Sequence, residues 1–511
     1  MNKILKFLKS RLFIFTVILV LQVLFYVVLF MNIVDLHPAI RVIIVAGSIV
    51  LAMYLMYKNQ DPTYKVIWIA LICISPLFGI LMYFFFSQRK IGRKLRRKLK
   101  KAEEKALDEL EQDKETYWKV EQSDKGVARI SDYIRETCYF PAYGDTDTEY
   151  FGTGEDFFER LVLELKKARR YIFMEYFIFK RGYMLDTILD ILKEKAANGV
   201  DIRIMYDDMG CMFELPLRFV KKLEKYGIKC AIFNRVKPAL NSLFNNRDHR
   251  KIVVIDGHTA FVGGANIADE YINVIKPFGR WKDACLMMKG KAAWGFLMMF
   301  IQMWDGHQRE STDVKALRPT EGIAENTGQG GFVQPFDDSP LFETNVCERV
   351  YLSLINRAND YLYITTPYLI LNDALTNAFI AAAISGVDVR IAVPHIPDKK
   401  GVFYVTRSSC RQLLESGVRI YEYTPGFLHS KICVCDDELA VVGSINMDYR
   451  SLFLQFECAA LLYKTKTVAD VKKDFLNICE VGEEMTLEKV KKWPWYVRFA
   501  EAVCGLFAPM F

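Results

Sequence analysis

Two short stretches of this chain carry the same reactive side chains at the same spacing. His249, Lys251 and Asp256 stand as His-x-Lys-x4-Asp and are followed by Gly263, Gly264 and Asn266. His429, Lys431 and Asp436 repeat the pattern, followed by Gly443, Ser444 and Asn446, each 180 residues after its counterpart. At ordinary residue frequencies a given His carries Lys and Asp at those offsets by chance about once in a few hundred trials, so a single copy is weak evidence. Two copies in register, in a chain with only six His, are strong evidence. The chemistry they suit is that of phosphate esters. Lys presents a point charge to a phosphate, and His takes or gives a proton near neutral pH. The small residues Gly263 and Gly264, or Gly443 and Ser444, would let the backbone and Asn266 or Asn446 approach phosphate oxygens.

These side chains need rigid elements to position them. Residues 252–263 read Ile-Val-Val-Ile-Asp-Gly-His-Thr-Ala-Phe-Val-Gly, which predicts a strand, a tight turn at Asp256-Gly257 and a returning strand. Period two places His249 and Lys251 on one face, where both reach one ligand. From about Ala142 onward, β-rich runs alternate with amphipathic ones: Phe157–Arg170 has helical spacing, Tyr171–Phe179 reads as a buried strand and Leu185–Ala197 as a helix. Such alternation implies an α/β layered fold. The segment Asn198–Ile204 returns as Ser385–Ile391, and Leu223–Glu224 as Leu414–Glu415. The offset stays between about 180 and 191 residues, the mark of one duplicated domain rather than a short-period solenoid. The expected halves are 142–309 and 336–511, related by a pseudo-twofold axis. They are joined by a linker, 310–335, whose stretch Glu310–Gly331 is polar and lacks an apolar period.

Ahead of the duplicated region, residues 1–88 read as a membrane anchor. Leu12–Val34 is an almost uninterrupted apolar run, long enough at about 1.5 Å per residue to cross a hydrocarbon core. Ile40–Tyr57 is a second run, and Val66–Phe86 a third that Pro76 and Gly79 interrupt, so two or three transmembrane segments are expected. The cations Arg89, Lys90, Arg93, Lys94, Arg96, Arg97, Lys98, Lys100 and Lys101 follow at once and favour a cytoplasmic body. Three spans would place the amino terminus outside, against the preference of Lys3, Lys6, Lys9 and Arg11. The segment 89–141 reads as a basic juxtamembrane helical linker, whose charges suit either anionic lipid headgroups or a solvated face. A net charge of +7 is too small and too dispersed for a nucleic-acid binder. Twelve scattered cysteines without a CxxC pair predict reduced core residues, with Cys433 and Cys435 alternating as in a strand.

The paired motifs resemble the phospholipase D superfamily over nearly all of residues 140–511, and finer segments are similar to the bacterial cardiolipin synthases. These include Asn246–Lys251, Gly263–Ile267 leading to Glu270 and Tyr271, Thr365–Tyr368, Tyr421–Lys431 and Asn446–Ser451. Gln455 departs from the Asn usual there. The resemblance implies one site formed by both motifs. His249 would be the nucleophile that becomes phosphohistidine and His429 the general acid and then base, with the reverse assignment open. Lys251 and Lys431 would stabilise phosphoryl charge. Asp283 and Glu457 match the family's acidic partners and would orient the histidines. Asp256 and Asp436 belong to the motif and are counted with the catalytic set, although their place beside a turn favours shaping the loop. Gly264, Asn266, Ser444 and Asn446 would line the phosphate. The implied reaction joins two phosphatidylglycerol molecules into cardiolipin and glycerol, with no metal or other cofactor. The partners would be phosphatidylglycerol and anionic membrane lipid, without nucleic acid. A hydrolase, another phosphatidyltransferase and a silent membrane scaffold are the rivals. Val490–Phe511, with Trp493, Trp495, Tyr496 and Phe499 among cations, reads either as an interfacial helix or as ordinary terminal packing. His37, His258, His307 and His395 lack metal-ligand partners and read as structural, and Phe296–Met303 reads as a core helix.

Overall fold

The computed structural model describes residues 38–58, 62–87, 92–236, 246–308, 311–319, 331–342, 344–506 and 508. The first apolar run, Leu12–Val34, and His37 lie outside them. The described chain forms a small amino-terminal helical unit and a large unit, which begins at residue 92 and holds the two large sheets and a two-stranded one.

In the small unit, helix Pro38–Tyr57 has 20 residues, a mean hydropathy of 2.2 and little buried surface. At about 1.5 Å per residue it is about 30 Å long, the thickness of a bilayer core. Among the described residues it is the one helix long enough to span. The third apolar run divides instead into helices Pro62–Ile74 and Pro76–Phe86. The break falls at Ser75 because Pro76 lacks an N–H and opens the next helix at its first turn. The two helices pack closely, since a Cβ on Gly79 would stand 2.5 Å from Ile72 Cα. Leu55, Tyr64, Trp68, Ile72 and Tyr83 form the core of this unit.

The first half of the large unit supplies β1 (Thr146–Phe151), β2 (Tyr171–Tyr176), β3 (Asp201–Asp207), β4 (Lys229–Phe233), β5 (Lys251–Ile255), β6 (Thr259–Gly263), β7 (Arg280–Lys282) and β8 (Cys285–Gly290). The second half supplies β9 (Phe332–Asp338), β10 (Tyr361–Thr365), β11 (Asp388–Pro394), β12 (Arg419–Tyr423), β13 (Gly426–Leu428), β14 (Ile432–Cys435), β15 (Leu439–Gly443), β16 (Glu457–Tyr463) and β17 (Glu483–Met485). The first sheet runs β1-β8-β6-β5-β2-β3-β4, and the second β9-β16-β15-β14-β10-β11-β12-β17. The first seven strands of the second sheet follow the order of the first, with β17 added beyond β12, so the duplication seen in the sequence is a duplication of topology. Cys433 and Cys435 lie buried in β14, as their alternation predicts.

The motif strands are central and buried on both faces, which is why they read as continuous apolar runs. In β5, Ile252 and Val254 enter one core, and Val253 and Ile255 the other. The first of these cores also takes in helix Ala292–His307, 14 of whose 16 residues are buried, together with apolar residues of both sheets. The expectation of a core helix at Phe296–Met303 therefore holds.

Two expected boundaries move. The expected linker ends at residue 335, but β9 begins at Phe332, and Pro335 is accommodated because β9 is an edge strand. The segment 89–141 is more than a linker. Its helices Arg93–Leu107, Lys114–Ser123 and Lys125–Cys138 bury Leu99, Ala106, Val120, Val127, Ile134 and Cys138 in the first core. The cations Arg97, Lys98, Lys100 and Lys101 stay on the exposed face of the first helix.

Candidate active site

Each motif histidine immediately precedes the hairpin of its own half and is held by backbone of the other half. His249 donates its N–H to Phe456 O (2.9 Å), and Phe456 donates to Arg247 O (2.9 Å). Correspondingly, His429 donates to Lys282 O (2.7 Å), and β13 runs parallel to β7 with Phe427 opposite Trp281. One residue beyond each contact comes an acid. Glu457 follows Phe456 and meets His249 Nδ1 through Oε1 at 2.9 Å and Oε2 at 3.1 Å. Asp283 follows Lys282 and meets His429 Nδ1 at 2.7 Å. The acids are therefore exchanged: each half orients the histidine of the other. An Nδ1–H held by a carboxylate fixes the tautomer and leaves Nε2 for chemistry.

The residues after the hairpins serve these acids. A Cβ on Gly264 would stand 2.1 Å from Asp283 Oδ1, so only glycine leaves room for that carboxylate. Ser444 Oγ donates to Glu457 Oε2 (2.5 Å). The backbone N–H of Gly264 is committed to Ala284 O and that of Ser444 to Cys458 O, both at 2.9 Å. Both small residues thus support the carboxylates. Asn266 accepts from Ile178 N (3.0 Å) and donates to Tyr271 Oη (2.7 Å). Asn446 is buried, and its Oδ1 has no partner among the described residues.

Lys251 and Lys431 are both 1% exposed, and each ammonium donates to the carbonyl of its own motif histidine. Burial pushes Lys251 down to about 8, against the pull of Glu457. Burial likewise pushes Lys431 down to about 7, with Lys251 adding to the fall. Burial, then Lys251 and Lys431, hold His249 well below the ordinary imidazole range. Burial and then Lys431 take His429 down to about 3. Glu457 is pushed up to about 8 by burial although both lysines oppose the rise. Burial also disfavours the Asp283 carboxylate, yet His429 and Lys431 hold it below its ordinary value. Lys251 feels Glu457 and Lys431 feels Asp283, each from the opposite half, so the two pairs form one shared cationic site into which an anion would fit.

The two histidines have unlike walls. His429 is packed by Tyr271 (5.4 Å between ring centres), Trp281 (5.2 Å) and Phe427 (5.8 Å), whereas His249 touches Phe177 (5.2 Å). The backbone contacts above equate Phe427 with Arg247 and Trp281 with Gln455, so the aromatic wall is particular to the His429 side. Behind His249 lies a charged layer. Arg247 pairs with Asp207 (3.4 Å), and Arg250 pairs with Asp337 while donating to Glu457 O (3.4 Å). Behind His429 the matching place is neutral, with Ser430 donating to Thr365 Oγ1 at 2.9 Å. Sequence reasoning missed Arg247, Arg250, Asp207 and Asp337. The one available signal was the pair of arginines flanking His249.

Asp256 and Asp436 stand at the far ends of β5 and β14 with φ of 52° and 53°, a left-handed conformation that Asp tolerates. Asp256 accepts from the N–H groups of Arg169 (2.8 Å), Arg170 (2.8 Å) and Tyr171 (2.9 Å). Asp436 accepts from Asn359 (2.9 Å), Asp360 (3.0 Å) and Tyr361 (3.0 Å). Both clamp the start of the neighbouring strand. Five residue steps of extended chain, about 17 Å, separate each from its lysine and set both apart from the His-Lys pairs.

His258 pairs with Thr259 Oγ1 (2.9 Å), His307 with Met303 O (2.8 Å) and His395 with Glu422 (3.2 Å), in keeping with structural roles. A cavity of about 750 Å³ between Arg203, Lys229, Trp304 and His307 contains none of the motif residues. The motif histidines, and not the cavity, define the site.

A duplicated α/β body with two carboxylate-held His-Lys pairs has the architecture of the phospholipase D superfamily. A family model described as cardiolipin synthase, PLD-like domain, matches residues 161–276 and 351–479, one stretch in each half. A second, described as phospholipase D-nuclease N-terminal, matches residues 42–88. A cardiolipin synthase of Halalkalibacterium halodurans is 33% identical over 479 residues, covering 92% of this chain and 94% of that protein. Cardiolipin synthase 2 of Bacillus anthracis is 32% identical over 467 residues, 91% of this chain and 90% of that one. An uncharacterized protein of Streptococcus mutans is 39% identical over 458 residues, 90% of this chain and 99% of that one. The crystal structure of phosphatidylserine synthase from Haemophilus influenzae superposes with a TM-score of 0.57 at 16% identity, covering 76% of this chain and 100% of that chain, and this likeness concerns the fold alone. The chain belongs to the cardiolipin synthase family of the phospholipase D superfamily. With its apolar helix Pro38–Tyr57 and the match over 42–88, it is a membrane-associated protein.

Proposed function

We propose that this enzyme is a phosphatidyltransferase that makes cardiolipin, by reversible transfer of a phosphatidyl group between two phosphatidylglycerol molecules with release of glycerol. The observation that carries this reading is the pair of buried histidines, each held by an acid of the opposite half and flanked by a buried lysine. His249 Nε2 attacks phosphorus and the phosphorus–oxygen bond to glycerol breaks. His429 gives its proton to the departing glycerol oxygen. The terminal hydroxyl of the second phosphatidylglycerol then attacks the phosphohistidine while His429 takes its proton, and the phosphorus–nitrogen bond breaks to give cardiolipin. A covalent intermediate divides one difficult displacement into two.

Charge supports these roles. A neutral His249 is the form that attacks, and its pKa is depressed. His429 must become cationic, and it is the histidine paired with Asp283, whose carboxyl is held below its ordinary value. A phosphodiester between Lys251 and Lys431 would neutralise the field that holds His429 low and raise its basicity. Asn266 and Asn446 remain candidates for phosphate oxygens. In this reading residues 142–309 and the chain from β9 onward are the two catalytic halves, and the protein spans the bacterial cell membrane more than once. The cationic run from Arg89 to Lys101 supports placing the body on the cytoplasmic side.

The test is to incubate the full chain in vesicles with radiolabelled phosphatidylglycerol, beside His249→Ala, and resolve the lipid products. Cardiolipin and glycerol, absent with the variant, are expected. Phosphatidic acid as the main product would make the enzyme a hydrolase, and no turnover of any phospholipid would favour a silent scaffold.

A further inference from the structure

We propose that the C-terminal helix, Trp495–Leu506, lies in the interface of an anionic phospholipid bilayer and holds the mouth of the active site against it. Trp495, Tyr496, Phe499 and Val503 are 78%, 60%, 64% and 37% exposed. At 3.6 residues per turn these four positions fall within an arc of about 100°, a continuous apolar stripe rather than scattered exposure. Trp and Tyr at the head of such a stripe are the side chains that sit at headgroup level. The exposed cations Lys491, Lys492 and Arg498 flank it, whereas the helix's one carboxylate, Glu501, is buried on the other face. The surface offered outward is thus aromatic and cationic, complementary to anionic lipid.

The opposite face ties the helix to the site. Cys504 packs on the small core of Ile370, Val405 and Tyr449, against which Tyr368 and Val402 pack as well. Tyr368, Lys399, Val402, Phe403 and Phe427 line a small cavity, and the Phe427 ring lies 5.8 Å from that of His429. A bilayer engaged by the stripe would therefore deliver lipid beside the His429 wall, from which a headgroup has little distance to travel.

The experiment uses the full chain reconstituted in phosphatidylglycerol-containing vesicles. Trp495 emission, isolated as the difference between the protein and W495F, should be quenched severalfold when the lipids carry bromine near the carbonyl end of the acyl chains. Emission unaffected by brominated lipid overturns the proposal, as does protection of Trp495 by a second copy of the chain. A second measurement rests on the proposed reaction. The triple variant W495S/Y496S/F499S should lose at least tenfold in kcat/KM on bilayer phosphatidylglycerol but less than twofold on a dispersed short-chain analogue. Equal loss on both substrates, or on neither, also overturns it. Should no phosphatidylglycerol turn over at all, the reaction fails, and the quenching still decides the docking.

Discussion

Replacing Asp283 by Asn removes one charge and alters no shape. Asp283 is 0% exposed, meets His429 Nδ1 at 2.7 Å through Oδ2, and accepts the Ala284 N–H at 2.9 Å through Oδ1. The amide oxygen retains the second contact, so the amide nitrogen is turned toward His429. That nitrogen donates, which obliges Nδ1 to accept and places the ring proton on Nε2, the wrong tautomer for taking a proton from the incoming alcohol. A charge-assisted buried hydrogen bond contributes about 1.5–3 kcal/mol, or about 10- to 160-fold in rate when it is realised only with the imidazolium. The tautomer change adds to this, up to the roughly 10⁴-fold that a placed acid or base supplies. The expected loss in kcat for cardiolipin formation is therefore about 10²- to 10⁴-fold. Asp283 also raises the basicity of His429, so without it the imidazolium is lost at lower pH and the alkaline limb of the kcat profile moves down. Glu457→Gln is the matched comparison. The Glu457 carboxyl is raised to about 8, so its replacement by a neutral amide costs least below that pH and progressively more above it. Radiolabelled phosphatidylglycerol in vesicles, assayed from pH 5 to 9.5, reads both variants. A kcat for Asp283→Asn within threefold of the parent, or an alkaline limb that does not move, would refute the exchange of acids as the device that orients His429.

Gly264→Ala places a methyl group against the Asp283 carboxylate. It should cost about 1–3 kcal/mol of stability and at least tenfold in kcat, whereas Gly199→Ala, at φ of 85° with no atom near its Cβ, should lower stability alone. Thermal unfolding and turnover measured side by side separate the two. Asp256→Ala strands three backbone N–H groups and should cost about 3 kcal/mol at about 1 kcal/mol per bond, with kcat of the folded fraction unchanged within threefold. A thousandfold loss of kcat at an unchanged melting temperature would return Asp256 to the catalytic set. Glu103, beside Arg250 and Asp337, is raised to about 7 by burial and then by Asp337, against 4.5 for an ordinary glutamate. Because the folded protein keeps this proton over that interval and the unfolded chain does not, its contribution to stability falls as pH rises from about 4.5 to about 7. Glu103→Gln should flatten the fall in melting temperature across that window, and an unaltered slope would contradict the shift.

The reactive residues and their immediate frame were legible in the sequence because both are local. A period of two puts His249 and Lys251 on one face, and the Asp256-Gly257 turn was readable because a left-handed residue there admits only a few types. Duplication was legible because one order of strands needs one order of apolar runs and turns. The break near Pro76 was equally local, a missing N–H.

What tertiary structure alone decided is how the two copies complete one another. Asp283 and Glu457 follow their own motifs in sequence, yet each serves the opposite histidine. Which backbone runs beside His249 or His429 depends on how the two halves bury their common core, and no spacing within one half records it. The same holds for Gly264 and Ser444, whose small size reads as room for phosphate until the carboxylate that needs the room is seen. Helices Arg93–Leu107 and Lys125–Cys138 looked like a solvated linker because their charges are dense, and only the core shows where Leu99 and Ile134 go. Sequence determines the local chemistry and the repeat because these depend on neighbours along the chain. The partner of each histidine depends on residues 146 and 208 positions away, and is set by packing.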